Sequence, residues 1–599
     1  MKIIGFHWDH LSSVALLQGR EITACVAEER FSGVKNDCCF PWHAANYCVE
    51  LAGGVDAIDG VAIATLERTY ELYLLKYYNN FTVADFVKEQ HEYSKPWFFE
   101  GRRDIRRWNI FPDYVNRTQY PQDYWSVIGN DERRMNSFKT DAEVLVGKHF
   151  GLPPEKVRRF DHHSCHARYS LHASDFQDGP VLVLTVDGQG DGANATAFLG
   201  DGAGLRKMYS TPDCTLGRYY RFITLLLGMR PLEHEYKVMG LAPYGKGRDV
   251  DRVLSILQGT LTVDGIKFLP GPNKPLESYF SFRDLFEGIR MDHVAAGLQL
   301  WVELTLEQWI GNVVKHFDVD SVVVGGGVSM NVKAMGRIAQ QPWIRRFFVA
   351  GSSSDESNAM GAALCLAAEQ GTHLGKAVTS LYLGPPAGAR DAILARARAE
   401  GHTVVLDPSD AVIVSLLLAG AVVGRCVGRM EFGQRALGNR SILADPINPE
   451  IIPRINAMIK NRDFWMPFAP VILDSCAGRY LKNHNGIDSP HMTIGFETTP
   501  EGYADLKAAC HPADRTTRAQ ILRREQNPPL YGLLEEFQRR TGRGGLLNTS
   551  FNLHGSPIVR TVEQAYDVFV KSGMDAVLTD TLLIVKASSP TRDILSCQS

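Results

Sequence analysis

No CxxC pair occurs in this chain, and its 11 cysteines are scattered over 599 residues. That excludes a disulfide framework; with Cys38 and Cys39 adjacent, the thiols are expected to be reduced, in a cytoplasm. No uninterrupted apolar run is long enough to cross a bilayer, and the opening MKIIGFHWDHLSS reaches polar residues too soon for a signal peptide. No membrane partner is therefore expected. Neither sign of charge dominates: the net charge of −3 supplies no basic field to draw in nucleic acid or acidic lipid. Low-complexity tracts are absent as well. What remains is ordinary for a globular protein, with 45% hydrophobic and 22% charged residues. Single cores stop growing near roughly 250–300 residues, so this length predicts two to four units.

The stretch Asp161-His162-His163-Ser164-Cys165-His166 is the centre of the reading. His162 and His166 are four apart, so on a helix they project from one side, one turn above the other. Neutral imidazoles at that spacing can grip one metal ion. Two ligands are too few, and carboxylates must join them. Asp187 ends the apolar run VLVLTVDGQGDG, and Asp355 stands in a turn that opens a small-residue helix, SSSDESNAMGAALCLAA. The alternative is a histidine pair that only packs or caps its helix, which an isolated HxxxH favours; the two acids tip the balance toward a metal.

Residues 2–8 read as a strand, followed by a polar turn and two strand-like runs, VALLQG and ITACVAEER, split at Gly19-Arg20. A similar strand–turn–strand unit returns at 181–200, which points to a duplicated fold. Residues 66–145 form an insertion rich in Tyr, Trp, Phe and Arg, as in KPWFFEGRRDIRRWNIF. Such a mixture stacks on nucleic acid in some proteins; more commonly it lines a small-molecule pocket or packs an insertion. Lys237, in EHEYKVMGLAPYGKG, precedes a Gly-rich, Pro-broken loop, as a phosphate contact or as a solvated lysine. Residues 293–318 read as a core helix. SVVVGGGVSMN then carries a buried strand into Gly325, Gly326 and Gly327 and on to Asn331. Glycines let backbone approach a ligand, and a helix start favours phosphate.

Gly and Pro cluster at 384–388, placing a boundary near 372–388. Beyond it, VIVSLLLAG reads as a helix and AVVGRCVG as a strand, the start of an α/β domain. GRMEFGQRALGNRSILADP packs Arg429, Glu431, Arg435 and Arg440 among glycines. Guanidinium forks there suit a phosphate or carboxylate. A plain surface loop is the alternative, against which Phe432, Leu437, Ile442 and Leu443 speak. Lys460 and Arg462 precede an aromatic–proline turn, and Asn548, Thr549 and Asn552 sit in LLNTSFNLHG, holding a polar ligand or forming Asx turns. Thr561 and Gln564 have capping-box spacing. Polar loops and cations on strand ends are how an α/β domain takes an anionic ligand.

Taken in order, HHSCH with VDGQGDG, EYKVMGLAPYG, GGGVSMN, FGQRALGNRSIL, WMPFAP and LLNTSFNLHGSPIV resemble the O-carbamoyltransferases of the nodulation-factor, cephamycin and tobramycin type. EERFSGVKNDCCFP looks like a further stretch of that family. The resemblance implies an α/β protein: a duplicated actin-like domain over 1–375, similar to that of the tRNA threonylcarbamoyladenosine proteins, and a YrdC-like domain over 385–599. It implies that carbamoyl phosphate and ATP, with Mg(II), give carbamoyl adenylate and pyrophosphate at Arg429, Arg435, Arg440, Lys460, Arg462, Asn548, Thr549 and Asn552. The adenylate would then lie against Lys237, Gly325, Gly326, Gly327 and Asn331. A metal, iron in the family, would be held by His162, His166, Asp187 and Asp355 beside a hydroxylated small-molecule acceptor. By donor chemistry alone that set suits Fe(II), Mn(II) or Zn(II). His10 matches an early family histidine and is expected as general base or orienting group; Arg435 is expected to stabilise a departing phosphate.

Three departures stand out. The chain reads His10-Leu11-Ser12-Ser13 where the family has His-Asp-x-Ser, so the aspartate's part is missing or falls to Asp9. Gln434 replaces a proline before Arg435, and Met466 replaces an arginine before the PFAP turn. Two further classes compete: a tRNA-modifying threonylcarbamoyl-type transferase, and a nucleotide-binding scaffold without catalysis. Net charge and the fused second domain disfavour the first; the full His and Asp set disfavours the second. The acceptor's identity stays open, and the sequence admits a homodimer.

Overall fold

The computed structural model describes every residue except 9, 67–75, 77–79, 106, 116–145, 148, 202–203 and 598–599. Asp9 and much of the insertion therefore lie outside the described residues. The chain forms two compact units. One comprises residues 1–28, 36–334 and 353–379; the other comprises 29–35, 335–352 and 380–599. The single division expected near 372–388 leaves out two short excursions, at 29–35 and 335–352, that belong to the second unit.

The first unit holds two sheets of like topology. In the first, β1 (Lys2–His7), β2 (Ser13–Gln18) and β3 (Glu21–Ala27) form an antiparallel meander, and β4 (Gly60–Ala64) and β5 (Val157–Phe160) add in parallel on the other side of β1. In the second, β6 (Val181–Gly190), β7 (Ala193–Asp201) and β8 (Gly204–Thr211) repeat the meander, and β9 (Ser321–Gly325) pairs in parallel with β6. The loose strand–turn–strand repeat of the sequence is thus a shared strand order. Five of the six residues of β1 and all of β4 are buried, as strands covered on both faces must be. The long helix Met291–Phe317 buries Trp301 and Trp309 in the core of this unit.

Close helix packing positions the conserved-type motifs' side chains. A Cβ on Gly5 would stand 2.0 Å from the carbonyl oxygen of Ala359, so helix Asn358–Glu369 crosses β1 almost in backbone contact. On its other side, a Cβ on Gly361 would stand 2.1 Å from the carbonyl oxygen of Cys165, in helix His162–Ala173. The run of Ala and Gly in this helix exists to permit both approaches.

The second unit is built on an eight-stranded mixed sheet. Its order is Thr403–Leu406, Leu582–Val585, Ala576–Leu578, Val423–Cys426, Arg440–Ala444, Gly545–Ser550, Ala469–Leu473 and Gln520–Leu522. Helices Asp410–Leu418 and Val562–Lys571 lie where the sequence predicts them. The Thr561 side chain accepts from the Gln564 amide, while the Gln564 side chain accepts from Arg560 rather than closing the capping box. The ten described cysteines are free thiols. Among the described residues no helix is long and apolar enough to cross a membrane.

In the described part of the insertion, the basic and aromatic residues largely serve each other. Arg107 lies 3.7 Å over Tyr93 and Arg103 lies 4.5 Å over Trp97. Glu89 pairs with both Lys76 and Arg107. In these residues cation–π contacts and a shared carboxylate hold the basic side chains against the aromatic ones.

Candidate active site

Asp161 caps helix His162–Ala173, its side chain accepting from the Ser164 amide at 2.8 Å. The cap fixes the first turn, and the helical period then places His162 over His166. Their Nε2 atoms are 3.1 Å apart. Asp187 Oδ2 lies 3.4 Å from His166 Nε2 and 4.0 Å from His162 Nε2; Asp355 Oδ1 lies 3.4 and 3.6 Å from the same atoms. All four donors fall within 4.8 Å of one another. Ligands about 2.1 Å from one ion stand roughly 3–3.5 Å apart, so the residues fit a divalent cation with little movement. Asp355 Oδ1 is buried and has no conventional hydrogen bond. Asn358, one turn beyond Asp355, holds its amide 3.2 Å from His166 Nε2 and 3.4 Å from His162 Nδ1.

His163, the middle histidine, points into the core instead. Its Nδ1 meets Thr185 Oγ1 at 2.6 Å and its Nε2 meets the Ala193 carbonyl at 3.1 Å. Burial pushes its pKa down to about 4. It is a satisfied core histidine and stays neutral.

The electrostatics of the four-residue set match a cation site. Burial opposes a charged His162, yet the Asp187 carboxylate and the charges of Asp355 and Asp191 lift its pKa to about 10. His166 moves up in the same way. Burial would raise Asp187, and the two imidazoles hold it well below the usual carboxylate range. Asp355 is likewise held down, against burial and the Asp187 charge, by His166, His162 and His7. Protons thus stand in for a metal when none is bound. A group whose folded pKa is raised stabilises the fold below its unfolded value and loses that contribution as pH rises through the folded one. Chelator-treated protein is therefore expected to lose stability as pH rises from about 6.5 to about 10 through His162. Urea midpoints measured across that range check it, and saturating divalent metal should flatten the slope.

His10 sits in the turn after β1. The same turn is tied to the Asp355 turn by Ser13 Oγ, which donates to the Glu356 carbonyl at 2.6 Å. Burial keeps the His10 imidazole below its ordinary pKa, with Arg221 adding to that and Asp355, Glu233 and Asp187 opposing. It is therefore neutral near pH 7 and able to accept a proton.

Gly325 ends β9, and Gly326 and Gly327 follow it. A Cβ on Gly325 would stand 2.3 Å from Ser170 Oγ, and one on Gly326, at φ +86°, would stand 2.4 Å from the Val186 carbonyl. The Gly327 amide donates to Asp187 Oδ2 at 2.6 Å. These three residues pack the strand end and hold a metal-type carboxylate. Asn331 exchanges two hydrogen bonds with the Gln299 side chain, at 2.9 and 3.0 Å, and accepts from the Ala334 amide. These hydrogen bonds hold its side chain against the helix Met291–Phe317. Lys237 is half-buried within helix Glu235–Leu241.

In the second unit the expected cations divide into two groups. Arg440 is fully buried, and its guanidinium donates to the carbonyls of Arg560, Val427, Asn439, Pro385 and Gly428. Arg429 donates to the carbonyls of Gly384 and Leu383. Both brace backbone, and the five donors of Arg440 are all engaged, so it is not an anion ligand. Asn548 likewise supports the loop, donating to the Ala436 carbonyl at 3.0 Å and to Gln520. Glu431 is the keystone of this loop: its Oε1 accepts from the amides of Leu437, Asn439 and Arg440 at 2.7–3.2 Å. Arg30 adds a hydrogen bond to the Gly433 carbonyl at 2.8 Å.

Arg435, Lys460 and Arg462 belong to the other group, joined by two residues the sequence did not single out. Arg518 is held well below its ordinary pKa by burial and by the charges of Arg435 and Arg462. Lys460 is lowered by burial and by Arg462 and Lys35. No carboxylate figures among these influences. Lys460 reaches Asn552 Oδ1 at 2.8 Å and Ser550 Oγ at 3.1 Å, and Arg462 donates to Thr549 Oγ1 at 3.1 Å. Asn552 in turn braces its own turn through Leu553 and Ser556. Five like charges gathered this closely form a region of positive potential that suits an anion.

A buried two-His, two-Asp donor set in one α/β unit and a cluster of cations in another suit a group-transfer enzyme. The comparisons with known proteins make that class specific. Residues 2–364 match the family described as Carbamoyltransferase N-terminus, and residues 414–586 match Carbamoyltransferase C-terminus. The chain belongs to the carbamoyltransferase family and is an enzyme of that class. It is similar to nodulation protein NolO of Bradyrhizobium diazoefficiens, at 30% identity over 72% of this chain and 80% of that one. It is similar to nodulation protein NolNO of Sinorhizobium fredii, at 27% identity over 98% and 80%. It is also similar to 3'-hydroxymethylcephem-O-carbamoyltransferase of Streptomyces clavuligerus, at 32% identity over 39% and 43%.

Proposed function

We propose that this enzyme is an ATP-dependent O-carbamoyltransferase, with an actin-like first unit and a YrdC-like second one. The observation that carries the reading is the gathering of Arg435, Arg462, Arg518, Lys460 and Lys35, close enough for their charges to act on one another, which suits carbamoyl phosphate and the ATP triphosphate together. There the phosphate of carbamoyl phosphate leaves to water. The carbamate oxygen then bonds to the α-phosphorus of ATP, and pyrophosphate departs. Arg435, Arg462 and Arg518 neutralise the charge that builds on the leaving groups. Mg(II) accompanies ATP.

Carbamoyl adenylate passes to the first unit, where His162, His166, Asp187 and Asp355 would hold a divalent metal, Fe(II) by family resemblance. When bound, such an ion polarises the carbamoyl oxygen as a Lewis acid. The acceptor hydroxyl of a small molecule attacks the carbamoyl carbon, AMP leaves, and neutral His10 takes the hydroxyl proton or orients that oxygen. The test is incubation of the protein with carbamoyl phosphate, ATP, Mg(II) and Fe(II) in the presence of a panel of hydroxylated natural products, read by mass spectrometry. The expected product carries one carbamoyl group and forms only with ATP. Carbamoylation without ATP consumption, or modification of tRNA in place of a small molecule, overturns the reading.

A further inference from the structure

The metal-type donor His162 is held by Thr65 and Asn358 at Nδ1, by Gly190 under its ring and by Asp191 at its backbone amide. Thr65 follows β4 and has φ +84°. For a β-branched residue that is strained backbone, and such strain persists only where its surroundings over-determine it. Here they do. The Thr65 amide donates to the Phe160 carbonyl at 2.8 Å. Its carbonyl accepts from Arg159 Nε at 3.4 Å. The next amide, of Leu66, donates to both oxygens of Asp191 at 2.9 and 3.0 Å.

The outcome of that conformation is a hydroxyl, Thr65 Oγ1, 3.3 Å from His162 Nδ1. Asp191 Oδ2 also accepts the His162 amide at 2.6 Å. One carboxylate thus joins the strained turn to the first residue of the metal-type helix. Gly190 supplies the floor: a Cβ there would stand 2.1 Å from His162 Cδ2 and 2.3 Å from Cγ. The motif DGQGDG thereby acquires a residue-by-residue meaning, with Asp187 as donor, Gly190 as floor and Asp191 as tether.

We infer that Thr65 is a positioning residue that sets the ring orientation and tautomer of His162. The Nδ1–H donates to Thr65 Oγ1, with the Asn358 side-chain amide 3.4 Å from the same nitrogen and its oxygen otherwise unpartnered, which leaves the lone pair on Nε2, the atom that faces His166, Asp355 and Asp187. A ligand imidazole held this way by its second nitrogen is pre-oriented for its ion. The inference rests on the metal reading above, and its test separates the two.

Co(II) is titrated into chelator-treated protein, with its d–d absorption as the readout and thermal melting measured alongside. Removing such a partner weakens metal binding by about 10–100-fold, so Thr65→Val, which keeps the shape and loses the hydroxyl, is expected to bind Co(II) that much more weakly. Thr65→Ser restores the affinity to within a few-fold. Thr65→Gly, which suits φ +84°, is expected to melt no lower than the parent protein and still to bind weakly, a separation that a purely structural role does not produce. Equal Co(II) affinity and an equal spectrum in Thr65→Val and the parent overturn the positioning role. Failure of the parent itself to bind Co(II) overturns the metal reading, and the positioning role with it.

Discussion

His166→Ala is expected to abolish carbamoyl transfer while pyrophosphate release from ATP and carbamoyl phosphate continues. The imidazole lost is fully buried and approaches His162, Asp187 and Asp355 within 3.1–3.4 Å. Without it, two buried carboxylates face one histidine, and the donor set drops to three. Lewis-acid polarisation of a carbonyl accounts for several kcal/mol of a barrier; a loss of about 4 kcal/mol is about 10³-fold in rate. In the proposed mechanism activation belongs to cations of the other unit and should be unaffected. Paired measurements decide the matter: carbamoylated product by mass spectrometry and pyrophosphate by a coupled assay. Equal loss in both would mean that the two steps do not divide between the two sets of residues.

The second large effect is expected from Arg518→Met and from Arg435→Met, each made separately. Both should cut carbamoyl-phosphate-dependent pyrophosphate release by about 10²–10³-fold, the typical loss for one preorganised donor to a developing charge. Co(II) binding at the histidine set should be unchanged. Stability should move the other way from activity. Burial, and after it the charges of Arg435 and Arg462, hold Arg518 well below its ordinary pKa, so removing one of these charges relieves repulsion in the unliganded protein. Melting temperatures at or above the parent value, together with lost activation, fit an anion receptor. A drop in melting temperature would instead make these arginines structural.

Local periodicity made the first site readable. A four-residue spacing on a helix brings His162 and His166 together in any context, and a strand-end acid and a helix-opening acid were limited in where they could point. His163 was ambiguous in sequence, because only the positions of Thr185 and Ala193 make it a core residue. In the second unit the arginines could not be sorted by type. Arg429 and Arg440 share a glycine loop with Arg435, and what separates them is which carbonyls the folded loop turns toward each guanidinium. Arg518 escaped notice because TTRAQIL carries no glycine and no repeat of charge. Lys35 was visible in EERFSGVKND, but its proximity to Lys460 is a tertiary fact. The close approaches of Gly325 to Ser170 and of Gly326 to Val186 are tertiary facts of the same kind.

The division of the chain into interleaved segments bears on biogenesis. Residues 29–35 leave the ribosome early, yet they belong with residues 380–599, which do not exist until synthesis nears its end. The second unit therefore cannot mature as translation proceeds, and Arg30 and Lys35 must wait in an incomplete nascent chain. A gene cut between the two halves would encode a C-terminal fragment without those two cations, so co-expressed halves would have to reassemble before any activation chemistry returned.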